Sequence, residues 1–575
     1  MARTGGKRNA SCARWRSPAR LRFLFVSRYD TGLHDIIHSA SRDTMPGRTT
    51  FQSFRFMACG GARRSARGLL APALACTMLA GPLHAATPAP IDQIRNVVVI
   101  FAENRSFDNL YNGFPGADTF AGQPPARFAQ RDRDGSIMRE LPPVWGGLTG
   151  RGVPDAVTQA MSAHLPNQPF RVDDPHGFNV PLSTLTHDLW HRFYENQMQI
   201  NGGRNDMFVA WADSGAMPMS YWDGSAMRMW QVARKYTMAD HFFMGAFGGS
   251  FLNHQWLACA CAPYYPQADT SPAHPVISVV DAGGRALVVA PNSPRSALEG
   301  VPKFVRDGNL TPDFHAVNTM QPAYQPSGNP AATGQDARFA DPTVATTLPP
   351  QTEATIGDRL SERGITWAWY AGAWQDVLDH GNHYPAPDFQ YHHQPYNYYL
   401  NYAPGTQARQ AHLLDGGLAG AGFIDAIDHG SLPQVAFYKP QGNLNEHSGY
   451  ADIQSGDRHI ADLIEHLEKS PQWPHMLVIV TYDENGGLWD HVAPPAGDRW
   501  GPGSRIPAII VSPFARRGYV DHTVQDTTSI LKFLTERFHL RPLDGLTVRD
   551  RAIQAATGHP LGDLTGALNL PSTGK

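Results

Sequence analysis

The stretch Val97–Tyr111, "VVVIFAENRSFDNLY", joins an apolar run directly to a polar cluster. Four β-branched or apolar residues in succession predict a buried strand. The run stops at Glu103, Asn104 and Asp108, and a core strand would avoid such side chains. The polar cluster is therefore expected to serve a site rather than the core.

The same pattern recurs almost four hundred residues later, in "HMLVIVTYDENGGLWDHVAPP", where an apolar run ends in Asp483 and Glu484. Sites in open α/β sheets form at the carboxyl ends of strands. Two neighbouring strands that end in this way would bring four oxygen-bearing side chains to one point. Carboxylates packed so closely repel each other unless a cation lies among them, and oxygen ligands select a hard divalent ion. Taken alone, either cluster could be a turn with a helix cap.

A third motif, "DHFFMGAFGGSFLNHQWL", places Ser250 directly after Gly248 and Gly249. The two glycines allow a sharp turn and the close approach of a ligand. Asn253 and His254 follow on what the pattern predicts as the first turn of a helix, whose N-terminus can offer backbone N–H groups to an anion. Ser250 is either a metal-activated nucleophile or an ordinary N-cap.

Apolar runs and helical patterns alternate along the chain, which predicts a mostly parallel sheet between helices. The predicted strands are Asn96–Ala102, Ile365–Tyr370, Gln434–Tyr438, Met476–Tyr482 and Ile506–Ser512. The predicted helices are Ala226–Tyr236, Ile356–Arg363, Asp457–Lys469 and Thr527–Phe538. At 575 residues the chain is long enough for one large α/β unit with insertions or for two domains.

The composition is that of a globular protein, with 42% apolar and 17% charged residues and a formal net charge of −3. This near-neutral balance gives no electrostatic footprint for nucleic acid. Residues 265–350 are rich in Pro, Ala, Thr, Gln and Asn and are expected to form surface loops or a cap inserted in the catalytic domain.

The N-terminal part of the chain resembles a processing signal. From Met57 a basic stretch is followed by the apolar run Leu69–Leu79 and by a small-residue exit near Ala85, which is the order of a secretory signal peptide. We expect residues 1–85 to be an N-terminal extension and signal peptide that is removed, residues 86–575 to be the catalytic domain, and the protein to be periplasmic or secreted. The alternative is a disordered cytosolic tail before an ordinary buried helix.

Five cysteines are present, and three of them lie in the segment expected to be removed. Cys259 and Cys261 are too close in sequence for an easy disulfide loop, and no zinc spacing is present. Stability is therefore expected to come from the core.

Four motifs together, "ENRSFD", "NGGRNDMF", "FGGSFLNHQWL" and "TYDENGGLWDHVAPP", resemble the bacterial acid phosphatase and phospholipase C phosphoesterase superfamily. The resemblance runs from about Ile94 to about Phe538. It implies an alkaline-phosphatase-like α/β core and a Ser or Thr nucleophile beside a metal. "FGGSFLNHQ" and "QYHHQPYNYY" are similar to the acid phosphatase branch, whereas phospholipase C members carry a segment of the type "PTNPNR", which this sequence lacks.

The resemblance also implies roles for individual residues. One hard divalent ion would be held by Glu103, Asn104, Ser250, Asp483 and Glu484, and Ser250 would also be the nucleophile. Phosphate or the leaving group would be contacted by Asn253, His392, His393 and His447. One more histidine would come from "THDLWH", with His187 as the first choice and His191 as the alternative. Asp490 and His491 would complete the rim of the catalytic site.

The sequence thus predicts a secreted metal-dependent acid phosphatase that hydrolyses phosphate monoesters through a phosphoserine intermediate. Phosphorylated small molecules are the expected partners; contact with a phospholipid surface is allowed for, and neither nucleic acid nor a protein partner is implied. Carboxylate ligands surrounded by protonated histidines would suit an acidic pH optimum. A phospholipase C-type phosphodiesterase is the alternative, and a secreted anion-binding protein without turnover is a lesser one.

Overall fold

The computed structural model describes residues 89–150 and 156–570. The predicted signal peptide, its cleavage near Ala85 and the domain boundary at that point lie outside the described residues. In the described part of the chain, no helix combines the length and apolar character needed to cross a bilayer.

Twelve strands are formed by the described residues. They are β1 Asn96–Ala102, β2 Phe170–Arg171, β3 Ser220–Tyr221, β4 Thr237–Ala239, β5 Phe242–Phe243, β6 Trp367–Gly372, β7 Leu413–Gly417, β8 Val435–Lys439, β9 Met476–Tyr482, β10 Ala508–Val511, β11 Tyr519–Asp521 and β12 Gln525–Asp526. Eight of them form one sheet in the order β11-β4-β10-β9-β1-β8-β6-β7. Within this sheet β10 runs antiparallel to both of its neighbours, and the other pairings are parallel.

Eleven α-helices accompany the strands in the described ranges. They are α1 Phe107–Tyr111, α2 Phe193–Ile200, α3 Arg228–Lys235, α4 Ser250–Cys259, α5 Ile356–Glu362, α6 Trp374–His380, α7 Gln407–His412, α8 Ala421–Asp428, α9 Ile453–Lys469, α10 Thr527–Arg537 and α11 Asp544–Thr557. One group packs α9 against α3 and α8, and another packs α4 against α5 and α10. Every residue of β1, β8 and β9 is buried, so both faces of the central sheet are covered.

The predicted fold class, an α/β sandwich with a mostly parallel sheet, is confirmed. The predicted bounds of β1 and β9 coincide with the observed ones, and the other predicted strands and helices are found with ends shifted by up to four residues. Residues 265–350 contain two short 3₁₀ helices, Ala268–Thr270 and His274–Val276, together with isolated bridges such as Val289 to Phe304.

The expectation that Cys259 and Cys261 would not pair is wrong, because a disulfide joins them. Cys259 is the last residue of α4, and Ala260 leaves the helix in the left-handed region at φ 50°. This reversal of the backbone brings the two sulfur atoms together across a single intervening residue.

Candidate active site

The two strand-end pairs, Glu103–Asn104 and Asp483–Glu484, meet at one edge of the sheet and are called the acidic pairs below. β1 lies beside β9 in parallel register, with Ala102 opposite Tyr482, so the residues that follow each strand are neighbours. The backbone N–H of Asn104 donates to Asp483 Oδ1 at 3.1 Å. Asn104 has φ 60°, a left-handed conformation that asparagine tolerates better than most residues. The cluster that they form consists of Glu103, Asn104, Asp483 and Glu484, all fully buried.

Ser250 faces these pairs from the N-terminus of α4. Its Oγ lies 3.2 Å from Asn104 Oδ1 and 3.3 Å from Glu484 Oε1, so the hydroxyl donates to one of the two. The preceding Gly248 has φ 91°, and a Cβ there would lie 2.6 Å from the Cα of Phe193. Glycine is thus required by conformation and by space, and the turn it makes delivers Ser250 to the cluster.

Asn253 does not face the cluster, in contrast to the predicted phosphate contact. Its Oδ1 accepts from the N–H of Ala246 at 2.9 Å, and its Nδ2 donates to the carbonyls of Ala246, Gly248 and Gly249 at 3.2 Å. The side chain is fully buried and is committed to the backbone of the turn. Asn253 therefore positions Ser250 and has no polar atom left for a substrate.

Four of the predicted histidines border the cluster, and His254, which was not predicted as a site residue, joins them. His393 Nε2 contacts Glu103 Oε1, and His447 Nε2 lies 3.7 Å from Glu103 Oε2. The His392 ring centroid lies 5.1 Å from that of His393 and 5.2 Å from that of His254. His254 Nδ1 donates to the carbonyl of Ser250 at 2.7 Å.

Of the two histidines in "THDLWH", the structure places His191 at the cluster, so the preference for His187 changes. His191 Nε2 lies 3.7 Å from Glu484 Oε1, and its ring centroid lies 5.8 Å from that of His447. The backbone N–H of His187 donates instead to Leu148. The β-bridge between residues 149 and 186 holds His187 in the segment that precedes α2.

Asp490 and His491 belong to a separate ion-pair network, which corrects their predicted place at the catalytic rim. Arg505, itself fully buried, lies 3.0 Å from Asp490 Oδ1 and 3.0 Å from Asp108 Oδ1. His491 Nδ1 lies 2.7 Å from Asp108 Oδ2, and His491 Nε2 lies 3.2 Å from Asp118 Oδ1. These contacts tie the segment after β1 to the segment after β9.

Two further site residues were missed from the sequence, Lys439 and Tyr450. Lys439 is the last residue of β8, and its Nζ lies 2.8 Å from Glu103 Oε1. The Tyr450 hydroxyl donates to Glu103 Oε2 at 2.8 Å. A lysine that ends a buried strand beside β1 was the available signal for the first, whereas no motif marked the second.

The charges of the cluster are unevenly compensated. Burial alone would raise the pKa of Glu103, but Lys439 and His393 hold that pKa well below its ordinary value. Burial raises the pKa of Asp483 to about 7 and that of Glu484 to about 8. Lys439 opposes the shift of Asp483 and His191 opposes that of Glu484, but neither shift is cancelled. The negative charge of this pair is therefore only partly compensated by the protein.

The pKa values of the histidines beside the cluster are also shifted in different directions. Burial lowers the pKa of His254 and His392 well below the ordinary value and that of His393 to about 4. For His191, Glu484 and Asp188 outweigh burial and raise the pKa to about 9. Of the histidines that were expected to be protonated, only His191 therefore has a raised pKa, whereas burial favours the neutral form of His392, His393 and His447.

The residues present fit a hard divalent cation. Asp483 Oδ2 is buried and has no hydrogen-bond donor among the described residues. Glu484 Oε1, Asn104 Oδ1 and Ser250 Oγ converge beside it, and carboxylate, amide and hydroxyl oxygens are the donors that such ions prefer. Among the described residues, three groups of histidine and acidic side chains have ligand atoms within 4.8 Å of one another. They are Glu103 with His254 and His393, Asp188 with His191 and His447, and Asp108 with Asp490 and His491.

Comparison with known proteins agrees with the geometry. The sequence model described as "Phosphoesterase family" matches residues 94–541. Phospholipase C B of Mycobacterium tuberculosis is 22% identical over 537 residues, which cover 86% of this chain and 82% of that protein. The non-hemolytic phospholipases C of Pseudomonas aeruginosa and Burkholderia pseudomallei are 28% and 27% identical over 38% of this chain.

The match covers only 33% and 36% of the length of those two non-hemolytic relatives. Among solved structures, a protein in the alkaline phosphatase superfamily from Vibrio parahaemolyticus aligns with 63% of this chain and 67% of that chain, with a TM-score of 0.29 and 8% identity.

Proposed function

This chain belongs to the phosphoesterase family, and from that premise we propose that it is a metal-dependent phosphatase that hydrolyses phosphate monoesters with Ser250 as nucleophile. The observation that carries the proposal is the position of Ser250 Oγ, 3.2 Å from Asn104 Oδ1 and 3.3 Å from Glu484 Oε1. An ordinary N-cap serine would use its hydroxyl on the backbone of its own helix. Ser250 instead points its hydroxyl into the oxygen cluster.

Asn104, Asp483, Glu484 and Ser250, together with Glu103, would hold the divalent ion. When bound, such an ion stabilises the negative charge that develops on the phosphoryl group and lowers the pKa of a neighbouring hydroxyl. Glu484 Oε1 lies within hydrogen-bonding reach of the Ser250 hydroxyl and is a proton acceptor for it.

The reaction proposed for these residues has two steps. Ser250 Oγ forms a bond to phosphorus, the bond from phosphorus to the alcohol oxygen breaks, and the hydroxyl proton passes to Glu484. The alcohol leaves after taking a proton from His191 or from water. Water, whose proton passes to His191 or to solvent, then attacks the phosphoserine; the bond from phosphorus to Ser250 Oγ breaks, inorganic phosphate leaves, and Ser250 regains its proton from Glu484.

The phosphoryl group would be held by donors that surround Ser250. The first turn of α4 presents backbone N–H groups next to the nucleophile, and the helix dipole favours an anion there. His191 lies on the other side, 3.7 Å from Glu484, and carries a positive charge because its pKa is raised to about 9. These groups act by orientation and electrostatics.

A phosphate monoester is favoured over a diester by the cationic His191, since a monoester carries one more negative charge near neutral pH. A phospholipase C-type phosphodiesterase is the second candidate, favoured by the relatives named phospholipase C. A secreted anion-binding protein without turnover remains the lesser alternative, and the convergence of Ser250 with the acidic pairs counts against it.

We test the proposal with p-nitrophenyl phosphate, bis-p-nitrophenyl phosphate and phosphatidylcholine, each with and without chelator and across the acidic to neutral pH range. The expected result is chelator-sensitive turnover that is fastest on the monoester. Faster turnover of phosphatidylcholine would overturn the proposed monoesterase activity in favour of a phospholipase C activity. No turnover of any of the three would favour the binding protein.

Ser250→Ala is expected to abolish turnover without unfolding the chain, because the hydroxyl forms the bond to phosphorus. Its loss should lower kcat by at least about 10³-fold, and circular dichroism should show an intact fold. Ser431→Ala, at an exposed serine, is the matched control and should retain wild-type turnover. A Ser250→Ala variant that keeps more than a few per cent of the activity would show that Ser250 is not the nucleophile.

We further propose that the chain is exported before it acts. The disulfide between Cys259 and Cys261 supports this, since disulfides persist in oxidising compartments and are rare in the cytosol. Small phosphorylated molecules are the proposed partners. Mass spectrometry of the protein recovered from the periplasm or medium would test export through a new N-terminus near Ala85.

A further inference from the structure

Three adjacent parallel strands end at the candidate site, and the third contributes a cation. β8 lies on the side of β1 opposite to β9, and its last residue, Lys439, is fully buried. β1 therefore ends between an acidic pair on one side and a lysine on the other. A buried lysine requires a partner of opposite charge.

Lys439 contacts the two acidic pairs unequally. Its Nζ lies 2.8 Å from Glu103 Oε1 but 4.0 Å from Asp483 Oδ2, and it donates to the carbonyl of Ala102 at 3.4 Å. The ammonium group also lies 5.2 Å from the Phe101 ring centroid. The lysine is thus anchored to the end of β1 and belongs chiefly to Glu103.

The charges can be paired on this basis. Glu103 has its ammonium partner, and its other oxygen accepts from Tyr450. Asp483 and Glu484 remain, with a combined charge that one divalent cation balances. If Lys439 were absent, the charge of Glu103 would leave the cluster with a net negative charge even with one divalent ion bound.

We propose that Lys439 is a positioning residue that acts as the built-in counter-ion of Glu103, so that a single divalent ion neutralises the rest of the cluster. The proposal rests on the proposed metal centre. It makes the strength of metal binding depend on the pairing of two protein side chains, Glu103 and Lys439.

Lys439→Met, which keeps the length of the side chain and removes its charge, tests the proposal. The metal-free full-length chain is titrated by calorimetry with Ca²⁺ and, separately, with Mn²⁺. The variant should bind the ion at least about tenfold more tightly than wild type, because a repelling charge has gone. The rise in melting temperature on adding the ion should also be larger. Lys439→Arg keeps the charge and should stay within about threefold of wild type.

The double variant Glu103→Gln with Lys439→Met removes a charge and its counter-charge together. Its affinity should return to within about threefold of wild type, while Glu103→Gln alone should bind at least about tenfold more weakly. This comparison also serves if Lys439→Met alone does not fold, since the double variant buries no unpaired charge.

Wild-type affinity in Lys439→Met, or a double variant as weak as Glu103→Gln alone, would overturn the proposal. None of these measurements uses turnover. If the metal affinities are as expected but no phosphate ester is hydrolysed, the role of Lys439 as counter-ion stands and only the proposed function is refuted. Failure of the wild-type chain to bind either ion would overturn both.

Discussion

A single buried carboxyl group, that of Glu195 in α2, is expected to make stability depend on pH. Among the described residues no backbone or side-chain donor serves either of its carboxylate oxygens. Burial, and then the neighbouring Asp307, raise the pKa of Glu195 well above 4.5. The folded chain therefore holds this proton more tightly than the unfolded chain, so the contribution of the carboxyl to stability is present in acid and is lost as pH rises.

Glu195→Gln keeps the size of the side chain and removes the titration. Between about pH 5 and about pH 8 the free energy of unfolding of wild type should fall relative to that of Glu195→Gln, as measured by urea denaturation. Glu353→Gln, at an exposed glutamate, is the control and should run parallel to wild type. A constant difference between wild type and Glu195→Gln over this range would show that Glu195 is charged in the folded chain.

At the level of residues, side chains that follow strong strands were predictable, and side chains that depend on packing were not. Glu103 and Asp483 follow continuous apolar runs, so their proximity follows from sheet topology. The role of Asn253 depends on how the turn before α4 closes, which the motif does not specify. Lys439 was missed because a lysine at a strand end is ordinarily solvated, whereas here it is buried beside Glu103.

At the level of elements, the turn before α4 is expected to be intolerant of any side chain at Gly248. Gly405 has the same φ of 91°, but a Cβ there would meet only the end of the Arg338 side chain at 3.8 Å, whereas at Gly248 it would meet the backbone of Phe193 at 2.6 Å. Gly405→Ala should cost about 1 kcal/mol of stability from backbone strain alone. Gly248→Ala should cost more than that and should also displace Ser250, so that kcat falls by at least about tenfold.

Urea denaturation and turnover of p-nitrophenyl phosphate, measured on both variants, separate strain from crowding. Equal losses in Gly248→Ala and Gly405→Ala would mean that Phe193 moves aside without consequence for the nucleophile.

The predictability of elements followed their length. β1 and β9, with seven residues each, are long apolar runs and were located correctly. β4 and β11 contain three residues each, too few for a periodic pattern to be recognised. The direction of β10 could not be predicted, because a short apolar run looks the same in parallel and antiparallel pairing.

At the level of the whole molecule, the Arg505 network is expected to hold distant segments together. Arg505 is fully buried between Asp108 and Asp490, and its removal takes the guanidinium charge away from two buried carboxylates. Arg505→Ala should lower the free energy of unfolding by about 3–5 kcal/mol. Arg228→Ala is the control, because this arginine pairs with Asp462 and Glu465 while 39% exposed, and such pairs contribute less than about 1 kcal/mol.

Urea titrations of the two arginine variants give the comparison directly. If Arg228→Ala were as damaging as Arg505→Ala, burial would not be what sets the value of these ion pairs.

The 379 positions that separate Asn104 from Asp483 in the chain set the time at which the cluster can exist. A polypeptide emerging from the ribosome presents Glu103 and Asn104 long before Asp483 and Glu484. No product that stops before residue 483 contains both halves of the cluster. Assembly of the centre therefore requires that synthesis has passed residue 484.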